Sequence, residues 1–296
     1  MNPLAAKTIF LWNVPAVAGG DPEKIADLLT LAGFESVAIK CAEAQYRFTP
    51  NRTRFPGWGE NVKPVLVETL HARGIKVIGW GFNYGLDVGG EAAVAVEQIK
   101  RLDLDGWAFD AESRFDAQPG AASLAYSLAS TVRNGVPDVA LAACGWAFYR
   151  NPRNLAIPWH PQAVMDSFLR VCDAGIPMMY WDGKGAAAAS AYARSSLLQW
   201  RKITNKMIAP AGRAYIGDNG TADAAGVAAF AVECKDLPGL TWWSLEHAIQ
   251  APDVWAALSA LPGKNTPRVL VPPADWMKAV DAWAVGQGYT GPGVQS

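Results

Sequence analysis

The sequence has few residues that bind metals or form disulfides. It contains three histidines and four cysteines in 296 residues, with no CxxC pair. A zinc site needs several such ligands at short spacings, and a disulfide framework is typical of short secreted chains. Each cysteine (Cys41, Cys144, Cys172 and Cys234) lies in an apolar segment, so we expect buried free thiols and predict no metal and no cofactor.

An excess of one charge and long apolar runs are also missing. The chain has 26 basic and 27 acidic residues and a formal net charge of −1, whereas a nucleic-acid-binding protein needs a basic surface. No segment reaches the roughly 18 apolar residues of a membrane span. We therefore predict no nucleic-acid partner and no membrane partner. The hydrophobic fraction of 51% is enough for the core of one large α/β domain or two smaller ones.

The N-terminal segment only partly matches a signal peptide. KTIFLWNVPAVAGG has a lysine, an apolar run and small residues before Gly19, but Asn13 and Pro15 interrupt the run. Cleavage there would also remove the first predicted strand. We expect a protein made in the cytoplasm without a signal peptide, which would reach a cell wall by lysis or on a phage particle.

Short apolar segments alternate with helical patterns along most of the chain. The eight predicted strands are residues 8–14, 36–43, 76–83, 105–112, 139–146, 176–182, 212–218 and 239–246. The predicted helices are residues 22–32, 62–73, 90–101, 120–133, 161–174, 185–207, 221–235 and 253–261. Parallel neighbours need a crossover, and strands buried on both faces are continuously apolar. The pattern predicts an α/β fold, a single (β/α)8 TIM barrel, over residues 1–262.

Residues 263–296 have a different composition. A Pro-rich connector is followed by a segment in which Trp276, Val280 and Trp283 share one helical face, and then by a tail. We predict a short amphipathic helical extension. Its aromatic face either packs on the barrel or docks a partner or a cell-wall polymer.

Carboxylates and aromatic residues predominate where the predicted strands end. The carboxyl ends of barrel strands carry the functional residues in this fold, and aromatic rings offer flat faces to sugar rings. The set therefore favours a sugar cleft over a phosphate site, although some tryptophans, such as Trp107 and Trp242, should instead pack under helices. The candidate substrate-binding residues are Trp12, Asn13, Glu43, Trp146, Tyr180, Trp181, Asp182, Tyr215, Trp243 and Glu246.

The fourth predicted strand ends in two acids, Asp110 and Glu112. Side chains two residues apart share one face of a strand, so both should point into the barrel mouth. Two close carboxylates raise the pKa of one of them, which can then act as a general acid, as glycosidic bond cleavage requires. The alternative is a structural ion pair with Lys40 or Arg114.

This strand resembles a motif of glycoside hydrolase family 18, the chitinase-like barrels. DGWAFDAE (105–112) is similar to the family pattern DGxDxDxE, with Ala108 at a position where the family has Asp or Asn. MMYWD (178–182) is similar to the strand-6 MxYD, with Trp181 in the Asp position. GLTWWSLE (239–246) resembles the strand-8 segment whose tryptophan forms the floor of the sugar site.

The N-terminal half also resembles a second family. VAIKCAEAQYRF (37–48) is similar to the strand-2 segment of glycoside hydrolase family 25, the lysozyme-type muramidases. That family also ends strand 4 in an Asp-x-Glu pair. It has an Asp at the end of strand 1, where this sequence has Asn13.

The resemblance implies retaining hydrolysis of a β-linked N-acetylhexosamine polymer, with the acetamido group of the substrate attacking the anomeric carbon. It assigns Glu112 as general acid/base and Asp110 as the residue that orients the acetamido group and tunes Glu112. Tyr180 would hydrogen-bond the acetamido carbonyl, and Trp243 would stack beneath the sugar.

The predicted function is therefore a lysozyme- or chitinase-like glycosidase, with peptidoglycan favoured over chitin and a phage endolysin as one source of such an enzyme. A non-catalytic barrel that binds glycan, or forms part of a phage particle, is the alternative, because positions 13, 108 and 181 depart from the family patterns. A barrel that acts on a small soluble glycoside is the third hypothesis.

Overall fold

Eight parallel strands close into a barrel in the computed structural model, which describes residues 2–217 and 220–265. The described residues form twelve strands, of which eight belong to the barrel. They are β1 (Lys7–Leu11), β2 (Ser36–Glu43), β3 (Tyr46–Arg47), β4 (Lys76–Asn83), β5 (Gly106–Ala111), β6 (Ala140–Trp146), β7 (Ala174–Met179), β8 (Met207–Ile208), β9 (Ala211–Arg213), β10 (Ile216–Gly217), β11 (Gly220–Thr221) and β12 (Leu240–Trp243). The barrel runs β1, β2, β4, β5, β6, β7, β9, β12 and closes by pairing of β12 with β1. The predicted (β/α)8 barrel is confirmed.

Helices connect successive strands of the barrel. They are α1 (Pro22–Leu31), α2 (Pro64–Ala72), α3 (Val88–Leu102), α4 (Ser113–Asp116), α5 (Ala121–Gly135), α6 (Gln162–Val171), α7 (Ala186–Ile203), α8 (Ala224–Glu233), α9 (Leu245–Ala248) and α10 (Pro252–Ala260). Asp21 caps α1 by accepting from the backbone N–H of Glu23 and Lys24, and Asp223 caps α8 in the same way from Gly226. In the part of the chain that the structure describes, no helix is long and apolar enough to cross a membrane.

The barrel interior is filled mainly by small and apolar side chains. Alternate residues of β5 point inward, so Ala108 lies in this core, fully buried, with Trp80 and Ala142 as its register partners. The residues of β5 that alternate with the inward-pointing ones face outward. Among them, Trp107 is buried under the helices, as expected. The four cysteines are buried and free, which confirms that prediction.

The seventh barrel position differs from the predicted strand at 212–218. It consists of two short pieces, β8 and β9, which both pair with β7 and are separated by Ala209 and Pro210. Proline has no N–H for a ladder, so the strand is interrupted there. Residues 216–217 leave the barrel and pair with β11 in a separate antiparallel ribbon.

Several boundaries of strands and helices also differ from the predicted ones, because single residues determine where such an element ends. β1 ends at Leu11 and a 3₁₀ turn follows at Val14–Ala16, where Pro15 sets the backbone. The short helices α4 and α9 directly follow strands and were not predicted. The predicted C-terminal helix with Trp276, Val280 and Trp283 lies outside the described residues.

Candidate active site

Aromatic rings form the floor of the barrel mouth. Trp243, at the end of β12, lies 5.5 Å from Trp80 between ring centroids, 5.6 Å from Phe10 and 6.3 Å from Trp12. Trp12 is 39% exposed, so this aromatic cluster reaches from the core to solvent. Trp243 and Tyr180 both pack, partly buried, against the interior cluster that contains Ala108. Trp12 and Trp243, the more exposed rings of this cluster, offer apolar faces of the kind that sugar rings stack on.

Asp110 is buried at the carboxyl end of β5. Asp110 is 8% exposed, its side chain points inward two residues after Ala108, and its Oδ1 atom has no hydrogen-bond partner among the described residues. The pKa of Asp110 is raised to about 8, chiefly by burial and then by the charge of Glu112, while Lys40 acts in the opposite direction. An unpaired buried carboxylate is costly, so Asp110 favours its protonated form near neutral pH.

Glu112 is half-buried and immediately precedes α4. Burial raises its pKa, and the charge of Asp116 raises it further. Asp116 lies one helical turn later and donates its backbone N–H to the carbonyl of Glu112 at 2.9 Å. The Asp116 carboxylate accepts a hydrogen bond of 2.8 Å from the indole Nε1 of Trp146. Three carboxyl groups therefore cluster where β5 ends.

Lys40 does not neutralise this cluster through an ion pair. Its Nζ atom donates to Glu43 at 3.0 Å and lies over the rings of Phe48 and Trp80, at 4.2 and 5.1 Å from their centroids. Burial lowers the pKa of Lys40, although Glu43 opposes this. Among the described residues, the ion pairs of Asp110 and Glu112 that the alternative interpretation required are not found.

Glu43 belongs to a polar network beside the cluster. It accepts from Lys40 and, at 2.9 Å, from the hydroxyl of Tyr84, and Arg114 lies over the Tyr84 ring. Burial acts to raise the pKa of Glu43, but these partners outweigh it and lower the pKa. Glu43 therefore favours its ionised form, in contrast to Asp110.

Tyrosines line the side of the mouth opposite this network. Tyr180 follows β7 and meets Tyr215 edge-to-face at 5.6 Å between ring centroids. Burial raises the pKa of Tyr180 well above its usual value, with further contributions from Cys144, Asp110 and Tyr215. Its neutral hydroxyl is thus available to donate a hydrogen bond near the acids.

Four other predicted site residues have surroundings that differ from those of the residues above. Trp181 is fully buried and stacks on Phe230 at 5.3 Å, facing the helices. Asp182 is exposed beyond it. Glu246 is buried, and it accepts from the backbone N–H groups of Trp12 and Asn13 at the end of β1. Asn13 is itself buried, with its backbone used in this contact.

Trp146 is near the acids but much of its ring is already in contact with protein. Its indole N–H binds Asp116, and one ring face stacks on His160 at 4.0 Å between centroids. Asp116 was not among the candidates from the sequence. Its spacing of four residues from Glu112 is the signal that could have identified it, because residues four apart lie on one helical face.

The described residues contain no group of three or more His, Cys, Asp or Glu side chains that could hold a metal ion. The mouth presents carboxyl, phenol and amine groups above an aromatic floor. A buried carboxyl beside a second, half-buried one suits proton transfer to and from a bound neutral ligand.

Comparison with known proteins gives structural but no sequence matches. No protein-family model matches the sequence, and no curated protein matches it. A family 18 chitinase from Pseudoalteromonas aurantia has a TM-score of 0.60 at 14% identity, over 86% of this chain and 98% of that one. The spore cortex-lytic enzyme SleL of Bacillus megaterium has a TM-score of 0.59 at 11% identity, over 88% and 75%.

A barrel with a different role is also similar. A xylanase and amylase inhibitor protein has a TM-score of 0.56 at 14% identity, over 85% of this chain and 97% of that one. These identities are low, and the likeness concerns the fold. The chain therefore has the (β/α)8 barrel found in family 18 chitinases and in related glycoside hydrolases and inhibitors.

Proposed function

We propose that the protein is a glycosidase that hydrolyses a β-linked polymer containing N-acetylhexosamine. The observation that carries the proposal is the pair Asp110 and Glu112 at the end of β5. Both have a raised pKa, neither forms an ion pair with a described residue, and an aromatic floor around Trp243 lies in the same barrel mouth. Family 18 chitinases share the barrel that presents these groups.

In the proposed reaction, protonated Glu112 gives its proton to the glycosidic oxygen as the bond to the anomeric carbon breaks. The acetamido oxygen of the substrate attacks that carbon from the opposite face and forms a cyclic oxazolinium ion. Asp110 accepts a hydrogen bond from the acetamido N–H, and Tyr180 donates one to its oxygen. The Glu112 carboxylate then takes a proton from water, which attacks the same carbon and restores the acetamido group with retained configuration.

Peptidoglycan is the polymer we favour. The segment around Lys40 and Glu43 resembles the muramidase strand, and the barrel is similar to that of a spore cortex-lytic enzyme. Chitin is the competing substrate, because chitinases have the same barrel. Both polymers supply the N-acetyl group that the mechanism needs.

The test uses two substrates, the hexamer of β-1,4-linked N-acetylglucosamine and purified peptidoglycan, with release of new reducing ends as the measurement. We expect cleavage of at least one of them, and a loss of roughly 10² to 10⁴ in kcat for Glu112→Gln. Glu68→Gln, at an exposed position on α2, is the matched control and should keep full activity. Activity of Glu112→Gln equal to wild type would overturn the assignment of the acid.

Substrate assistance has a separate test. The fully deacetylated glucosamine hexamer lacks the attacking acetamido group, so it should bind without being cleaved. Cleavage of this hexamer at the rate of the acetylated one would exclude the oxazolinium step and leave the glycosidase assignment intact.

A glycan-binding barrel without catalysis is the second function to test. Ala108 is fully buried among apolar residues, so no acid lies beneath Asp110, and an inhibitor protein has the same fold. Saturable binding of the acetylated hexamer, with no product from either polymer, would favour this function.

A further inference from the structure

We infer that Asp116 is a positioning residue that keeps Glu112 protonated, and that the indole N–H of Trp146 holds Asp116 in the charged form that does so. This inference rests on the proposed function of Glu112 as a general acid. It concerns Asp116, which lies outside the Asp110 and Glu112 pair, and it identifies the hydrogen bond that stabilises the charged form of Asp116.

The first support is the geometry of α4. This helix has four residues, begins directly after Glu112 and ends with Asp116. The carbonyl of Glu112 accepts from the backbone N–H of both Phe115 and Asp116 at 2.9 Å, so the turn is closed. The Phe115 side chain is fully buried and packs on Phe168 with tilted rings, at 5.7 Å between centroids, which anchors the turn against α6. The spacing between the two acids is therefore fixed by backbone and core contacts.

The second support is the contact that Asp116 makes with the end of the neighbouring strand β6. The indole of Trp146 donates to it at 2.8 Å, and stacking on His160 fixes the orientation of that indole. A hydrogen bond from a neutral donor stabilises the charged form of a carboxylate without cancelling its charge. Burial raises the pKa of Asp116, and the Trp146 bond limits this rise without cancelling it. The bond therefore favours the charged form of Asp116 and adds no positive charge beside it.

In the part of the chain that the structure describes, the groups around Glu112 do not supply a competing cation. Besides Asp110 and Asp116, Glu112 faces Cys144 on β6 and Tyr180 after β7, and burial raises the pKa of both, so they are neutral. Asp116 also faces the buried hydroxyl of Tyr149, whose pKa is raised well above its usual value.

The remaining ionisable groups of the region act elsewhere. Burial lowers the pKa of His160, which favours its neutral form beside Trp146. Lys40 is engaged with Glu43 and acts on Asp110. Arg114, on α4 itself, is exposed and lies over Tyr84. Asp116 is consequently the acid whose charge acts on Glu112.

The test measures the titration of Glu112 directly, by ¹³C NMR of protein labelled at the glutamate side-chain carboxyl, with Glu112→Gln assigning the signal. We expect Asp116→Asn to lower the Glu112 midpoint by about one pH unit, because a like charge is removed. Asp116→Glu should keep the midpoint near that of the wild type. Asp138→Asn, an exposed acid at the other end of the barrel, is the control and should shift nothing.

Trp146→Phe tests the second part of the inference, the role of the indole N–H. It removes the N–H donor, which raises the pKa of Asp116 and reduces its charge, so the Glu112 midpoint should fall by less than in Asp116→Asn. Circular dichroism and the melting temperature establish that each variant is folded. If neither Asp116→Asn nor Trp146→Phe moves the midpoint while both are folded, the inference is overturned.

The activity of the same variants provides a second measurement. With the acetylated hexamer, the alkaline limb of the pH profile of kcat/KM should move to lower pH in Asp116→Asn, in step with the Glu112 midpoint. Absence of hydrolysis by wild type at any pH would contradict the proposed glycosidase function. The titration shift would then still decide the role of Asp116, so the two failures are distinguishable.

Discussion

The two ends of strand β5 carry aspartates in opposite states. Asp105, just before the strand, accepts from Lys76 Nζ at 2.7 Å, His71 Nε2 at 2.8 Å and the backbone N–H of Val77 at 2.8 Å. Burial alone would raise the pKa of Asp105, but these partners lower it. Asp110, five residues later, has an unpartnered Oδ1 and a raised pKa.

This difference separates a structural acid from a functional one. The partners of Asp105 tie β4 and α2 to the base of the barrel, so its charge stabilises the fold. The interior around Asp110 offers one nearby cation, Lys40, which is already engaged with Glu43. A protein that keeps a buried acid without partners has lost stability at that point, and such groups are concentrated at sites of chemistry or binding.

An acid introduced into β5 between Asp105 and Asp110 would test whether the barrel interior tolerates a charge at that level. Ala108→Asp puts a carboxyl among apolar residues beside Trp80, and we expect it to reduce the free energy of unfolding at pH 7 by about 3 to 5 kcal/mol. The loss should be smaller at pH 4, where the new acid is neutral. Urea denaturation measures both values, and Ala108→Ser is the small-residue control. A fully stable Ala108→Asp at pH 7 would mean that this level of the barrel tolerates charge.

Removing the partnered acid should cost less, but it should still be clearly destabilising. Asp105→Ala leaves Lys76, His71 and the Val77 N–H without their acceptor, for a loss of about 2 to 3 kcal/mol. The stabilisation by Asp105 exists above its ordinary pKa and disappears as the pH falls, because its folded-state pKa is lowered. The loss on mutation should therefore shrink in acid. Hydrolysis of the acetylated hexamer at temperatures where the variant is folded should equal that of wild type.

Removing the unpartnered acid should act in the opposite direction. The folded-state pKa of Asp110 is raised, so the folded protein binds a proton that the unfolded chain has lost, and stability falls as the pH rises from about 4 to about 8. Asp110→Asn removes this penalty and should raise the free energy of unfolding at pH 8 by at least about 1.4 kcal/mol, the equivalent of one pKa unit. At pH 4 the two proteins should differ little. Destabilisation by Asp110→Asn at pH 8 would contradict the raised pKa.

The strand order and the inward position of Asp110 could be predicted from the sequence, because apolar runs separated by helices and a two-residue side-chain period determine them. The split of the seventh strand could not be predicted in this way. Pro210 is a local signal, but the pairing of β8 and β9 with the same strand depends on closure of the whole barrel.

The members of the site were less predictable than the fold. Glu246 and Trp181 stand at strand ends like the residues of the mouth, yet the structure turns them to the β1 backbone and to α8. Sequence position gives the end of a strand but not the direction of the side chain once the strand has ended. Asp116 was missed for the related reason that a helix of four residues has no periodic pattern.

The smallest expected effect concerns Lys40, which pairs with Glu43 and also acts on the charge of Asp110. Lys40→Met removes a buried amine whose desolvation offsets much of its ion pair with Glu43, so we expect stability to change by no more than about 1 kcal/mol. The Asp110 midpoint, measured by ¹³C NMR of labelled aspartate carboxyls, should nevertheless rise, because Lys40 is the cation that opposes its protonation. Lys63→Met, an exposed lysine over the ring of Trp58, is the control and should leave the midpoint unchanged. An unchanged midpoint in Lys40→Met would show that Glu43 already neutralises the amine completely, and Asp110 would then be controlled by burial and by Glu112 alone.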